Sequence, residues 1–104
     1  NKVYVITSYD SNKEQGTLSV WKNGKLERIA DDVYDIRFLS DGSVLYLYDY
    51  SLKSYAGELR KWQNGKTVKL DDDVVGMITL SNNRFFGINY SASGLDGYAM
   101  YRYY

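Results

Sequence analysis

The chain has no cysteine, no histidine and no proline, and its 13 lysines and arginines balance 13 aspartates and glutamates. Without cysteine or histidine it holds no disulfide framework, no thiol nucleophile, no Ser-His-Asp triad and no His/Cys zinc site. Balanced charge with no basic block removes the electrostatic footprint of a nucleic-acid binder. No apolar run approaches the ~18 residues that a membrane-spanning helix needs. The absence of proline suits extended ladders in which each residue donates its N–H. What is abundant points the same way: twelve tyrosines, three phenylalanines and two tryptophans favour strand. With 104 residues, 44% of them hydrophobic and 25% charged, the composition is that of one small globular domain.

The sequence repeats itself at an offset of 41. Gly16 falls on Gly57, Leu18 on Leu59, Trp21 on Trp62, Asn23-Gly24-Lys25 on Asn64-Gly65-Lys66, Asp31-Asp32-Val33 on Asp72-Asp73-Val74 and Leu39-Ser40 on Leu80-Ser81. Conservative pairs continue the match: Ile29 with Leu70, Ile36 with Met77, Leu47 with Ile88. At the ends, Val3 and Tyr4 match Val44 and Leu45, while Met100 and Tyr103 match Leu59 and Trp62, so the chain spans about two and a half copies.

Each copy predicts four short strands: YDIRFL (34–39), VLYLYDY (44–50), ELRKW (58–62) and TVKL (67–70). The first two are joined by Ser40-Asp41-Gly42 and the last two by Asn64-Gly65, both tight-turn signals because glycine accepts positive φ. Four strands per roughly 40–45 residues is the period of a β-propeller blade. Blades packed face to face bury both sides of their inner strands, which accounts for the near-continuous apolar character of VLYLY. The fold class expected is therefore all-β: four-stranded antiparallel blades forming a partial β-propeller. Residues 1–32 would be a blade lacking its first strand, 33–73 a complete blade, and 74–104 a blade lacking its fourth.

The order apolar strand, SDG, apolar strand, polar loop, strand, NG, strand resembles TolB-like (WD40-like) β-propeller repeats. Residues 36–47, IRFLSDGSVLYL, carry most of the likeness, and WKNGKLERIADDV (21–33) and WQNGKTVKLDDDV (62–74) look like blades of bacterial cell-surface proteins. The second copy departs from the pattern with Asn82-Asn83 in place of Asp41-Gly42. The resemblance implies a non-catalytic binding or scaffolding segment of a bacterial extracytoplasmic protein, with no cofactor and no metal. Expected partners are a protein or glycan ligand, and either further copies of the chain or the remaining blades. Apolar edges near Val3–Tyr9 and Met100–Tyr104 would favour such pairing.

Among candidate site residues, Tyr46, Tyr48 and Tyr50 alternate along one strand and are expected on one face. With Tyr101, Tyr103 and Tyr104 they would offer a stacking platform for sugar rings, or else pack blade against blade. Asp71-Asp72-Asp73, echoed by Asp31-Asp32, supplies oxygen ligands without the ordered spacing of a calcium loop, and turn capping explains them more simply. Asp35, Asp49, Glu58 and Asp96 are the acid/base candidates left by elimination if the chain were part of a hydrolase. Trp21 and Trp62 precede equivalent turns, which predicts one structural role used twice.

Overall fold

The computed structural model describes residues 2–89 and 100–104; for Asn89 and residues 100–102 the description is confined to the backbone. Eight strands follow in chain order: β1 (Lys2–Asp10), β2 (Gln15–Lys22), β3 (Lys25–Phe38), β4 (Val44–Ser51), β5 (Ala56–Gln63), β6 (Lys66–Thr79), β7 (Phe85–Asn89) and β8 (Met100–Tyr103). Each pairs antiparallel with the next, giving one open sheet in the order β1 to β8. The all-β expectation is met, and among the described residues there is no helix to cross a membrane.

The described strands do not form separate four-stranded blades. The expected fourth strand of one copy and first strand of the next run together, as the 14-residue β3 and again as the 14-residue β6. The aspartate-rich stretch expected to leave the sheet is absorbed within it. Pairing slips between Gly57/Leu59 and Leu59/Arg60 on β5 opposite β6, and likewise between Gly16/Leu18 and Leu18/Ser19 on β2 opposite β3. Each slip is a β-bulge, which takes up an extra residue and bends the strand without ending the ladder. Asp32 and Asp73 lie within the first slip of each pair, with φ of 54° in both.

The repeat is written into the backbone. Positive φ recurs at equivalent residues: Ser8 and Asp49, Glu14 and Tyr55, Asn23 and Asn64, Gly24 and Gly65, Asp32 and Asp73. Both Asn-Gly pairs are two-residue turns with two consecutive left-handed residues, the type I′ geometry that matches strand twist. Roles persist where identity does not. Asp10 Oδ1 accepts the N–H groups of Asn12 and Lys13, and its counterpart Ser51 Oγ accepts those of Lys53 and Ser54. At the third turn type the chemistry diverges: Gly42 alone takes positive φ (89°), whereas Asn82 and Asn83 both do (59° and 61°).

A repeat of three strands has a consequence for packing. Three is odd, so β4 runs opposite to β1 and β7 opposite to β4. Successive units are then related by a half-turn, and equivalent side chains face opposite sides of the sheet. Two cores result. One holds Leu18, Val20, Val33, Val44, Tyr46 and Trp62, with Tyr4, Ile29 and Ile36 packed on it. The other holds Leu59, Val74, Phe85, Leu45, Leu47 and Met77, with Leu70 packed on it. Leu18 and Leu59, Val33 and Val74, Val44 and Phe85, and Tyr4 and Leu45 are repeat equivalents. β4 belongs to both: Val44 and Tyr46 enter one core, Leu45 and Leu47 the other, all fully buried. Its two-sided burial thus comes from the sheet curling over itself. The Tyr4 ring of β1 meets Trp62 of β5 edge-on at 6.3 Å across the first core.

One register expectation is corrected. Val44 pairs with Trp62, and the equivalent Phe85 exchanges both backbone hydrogen bonds with Tyr104. The third aromatic of the series is therefore Tyr104, one residue later than the offset places it. A one-residue change of register reverses every side chain of a strand. Tyr104 consequently stacks on Phe85 at 4.9 Å in the second core, while Tyr103 faces outward beside Phe86.

Candidate functional site

The tyrosines of β4 do not share a face. Tyr46 and Tyr48 lie on the side of the first core, but the pairing slips between Tyr48 and Ser51, where Asp49 has positive φ (54°). That bulge turns Tyr50 into the second core, flat against Tyr34 with ring centroids 3.8 Å apart. Burial pushes the Tyr50 hydroxyl above its usual range, with the neighbouring Tyr34 adding to the shift. Tyr46 is fully buried and its hydroxyl donates to Thr67 Oγ1 at 3.3 Å, so its ring is closed to a ligand. Tyr48 is covered by the Arg60 guanidinium, 3.9 Å from the ring centroid. Among the platform side chains that are described, Tyr103 is the one that faces solvent, with Arg84 5.5 Å from its ring. Tyr101 is placed by its backbone alone, paired with Ile88.

Carboxylates are engaged locally. Arg60 donates through Nε and Nη2 to Glu58 Oε1 at 3.1 and 2.8 Å. Burial by itself would lower the guanidinium pKa, yet the Glu58 hydrogen bond and charge raise it overall. Arg37 Nη1 donates to Asp35 Oδ1 at 2.6 Å, and Lys69 Nζ to Asp72 Oδ1 at 3.1 Å. Asp31 accepts from Thr17 Oγ1 at 2.9 Å, and Asp71 Oδ1 accepts the Asp72 N–H at 2.8 Å. The aspartate runs thus cap and pin the bends of β3 and β6. Among the described residues no group of three or more carboxylates is arranged to hold a metal ion. The acid/base candidates are dispersed as well: Asp35 pairs with Arg37 and Glu58 with Arg60, while Asp49 lines a shallow cleft of about 320 Å³ with Lys13, Gln15 and Lys53. Asp96 lies outside the described residues.

Two features were not legible as sites in the sequence. The first is the cleft of about 360 Å³ where the β1–β2 hairpin meets the bend of β3, lined by Asp10, Lys13, Asp31 and Asp32 among others. The second is a pair of apolar rows with members that face solvent. Val3, Trp21 and Leu26 pair across β1, β2 and β3, and all are exposed. Ile78, Phe86 and Tyr103 pair across β6, β7 and β8, with Ile78 and Tyr103 exposed.

Comparison with known protein families, curated proteins and solved structures finds no match. Function must be argued from the geometry. The two tryptophans, equivalent in sequence, differ sharply in setting: Trp62 is 4% exposed and Trp21 is 47% exposed. Trp62 is shielded by Tyr4 and by Lys2, whose Nζ lies 5.8 Å from the ring. The expectation of one structural role used twice holds for the turn that follows each ring, and burial distinguishes them.

Proposed function

We propose that the chain is a non-catalytic binding or scaffolding segment of a bacterial extracytoplasmic protein, built from TolB-like propeller repeats. The observation that carries this reading is the division of labour among side chains. Asp31, Asp35, Glu58 and Asp72 each pair with a neighbouring arginine or lysine, whereas Val3, Trp21, Leu26, Ile78 and Tyr103 face outward. Contiguous exposed apolar surface is characteristic of macromolecular contact. In this reading a blade boundary falls at Asp32 and at Asp73, where the long strands already bend, and opening those bulges would separate one four-stranded unit from the next. Family and compartment rest on the resemblance of residues 36–47.

A second reading is favoured by Tyr103, which is 58% exposed with a guanidinium beside its ring. Such an arrangement suits a sugar face, and the chain would then be a carbohydrate-binding module. Titration calorimetry with soluble cell-wall glycan fragments, with a reducing-end assay on the same mixtures, separates the possibilities. The scaffolding reading expects neither heat nor new reducing ends. Glycan binding abolished by Tyr103→Ala would replace it with the carbohydrate module. Turnover abolished by Asp49→Asn would replace it with a propeller hydrolase.

A further inference from the structure

Trp21 near the end of β2, Trp62 near the end of β5 and Tyr104 directly after β8 form a series of three aromatic seats. Two of the seats are filled within the molecule. Trp62 is covered by Tyr4, on the first strand of the preceding unit. Tyr104 packs on the core that contains Leu45, the repeat equivalent of Tyr4. Among the described residues none covers the third seat, Trp21, in this way, and the row it shares with Val3 (55% exposed) and Leu26 (55%) is apolar across three strands. The equivalent row in the next unit, Val44–Trp62–Thr67, begins with two buried residues. Exposure at Trp21 is therefore set by what covers the row and not by the row's own composition.

The covering residues form a matching series, Tyr4, Leu45 and Phe86. Phe86 lies in the row flanked by Ile78 and Tyr103, which are 42% and 58% exposed. This row belongs to β6–β8 and to the face opposite the Trp21 row on β1–β3. One molecule cannot bring them together, but two can. We propose that copies of this chain associate head to tail, the Ile78–Tyr103 row of one copy seating on the Val3–Trp21–Leu26 row of the next. The contact continues, between molecules, the packing that joins one unit to the next within a molecule. Zero net charge removes long-range repulsion between copies. The two surfaces differ, so the contact is heterologous and propagates instead of closing at a dimer. This inference requires neither the propeller family nor the compartment.

Sedimentation velocity on the full chain, from micromolar to near-millimolar concentration, should show a sedimentation coefficient that climbs past that of a dimer. Trp21→Ala, which removes the seat, and the double variant Ile78→Lys, Tyr103→Lys, which removes the covering row, should each remain monomeric. An equimolar mixture of the two variants should form heterodimers that grow no further, since one intact contact survives. Circular dichroism confirms that both remain folded. In Trp62→Phe, where Trp21 is the remaining indole, emission should shift to the blue and iodide quenching should fall as concentration rises. A wild-type chain that stays monomeric, quenching of Trp21 that ignores concentration, growth unaffected by Trp21→Ala, or a mixture without heterodimer would each overturn the proposal.

Discussion

Gly57 shows how one residue can be dictated by a neighbour's backbone. A Cβ there would stand 2.9 Å from the Tyr48 carbonyl oxygen and 3.0 Å from Tyr50 Cα, because the Asp49 bulge folds β4 against the start of β5. One unit earlier, a Cβ on Gly16 would likewise stand 3.0 Å from the Thr7 carbonyl oxygen. Backbone atoms cannot give way as a side-chain tip can, so Gly57→Ala should cost about 1–3 kcal/mol in urea unfolding. Gly76, with its nearest atom at 3.9 Å, serves as the control, and alanine there should not lower the midpoint. Asp41 offers a test by titration. Ser43 donates to its Oδ1 through both hydroxyl and N–H, and these bonds hold its carboxyl below the usual aspartate range. A depressed folded-state pKa contributes stability above the unfolded value of about 3.9 that is lost as pH falls through the folded value. The stability gap between wild type and Asp41→Asn should thus be full at pH 6 and shrink as acid protonates the carboxyl.

At the scale of elements, turns and bulges decide where strands start and bend. Gly65 has a φ of 79° at the β5–β6 turn, a conformation that a β-branched side chain resists. Gly65→Val should lower stability by about 1 kcal/mol or more in thermal melts, and an unchanged midpoint would contradict the turn geometry. The β6–β7 turn solves the same problem with asparagines, and Asn83 does a second task. Its Oδ1 accepts from Ser40 Oγ at 2.7 Å and from the Asp41 N–H at 3.0 Å, joining the equivalent turns of two units. Asn83→Ala loses both bonds and retains the strained φ of 61°, so chemical denaturation should show a loss of about 1–2 kcal/mol. The departure Asn82-Asn83 for Asp41-Gly42 is thus also a contact between units.

For the molecule as a whole, β4 is the element that makes two units one cooperative structure. Leu47 and Tyr46 are adjacent in sequence yet fill different cores, both fully buried. Leu47→Ala should cost about 2–5 kcal/mol. Because β4 closes the first core and opens the second, that loss should shift a single unfolding transition, with Trp62 fluorescence reporting the same midpoint as far-UV circular dichroism. A Trp62 transition that stayed in place would show that the cores unfold separately.

Strand type, turn sites and the 41-residue period were legible because each depends on local chemistry: β-branched and aromatic runs, Asn-Gly pairs, and glycines at recurring positions. The all-β class followed directly. What the period could not convey was how many strands it contains, since Asp31-Asp32 and Asp72-Asp73 read equally well as a loop between blades or as bulges within a strand. Only the pairing of β3 and β6 with both neighbours settles them as bulges. The same limit hid the fate of Tyr50 and Tyr103. Alternation puts residues two apart on one face only while the register is unbroken; the bulge at Asp49 reverses Tyr50, and the pairing of β8 with β7, one residue off the repeat offset, reverses Tyr103. Trp21 and Trp62 make the point most plainly, since their local sequences are nearly identical. Burial of Trp62 comes from Tyr4, 58 positions away in the numbering and brought near by the curl of five strands. A contact of that range is a property of the folded sheet.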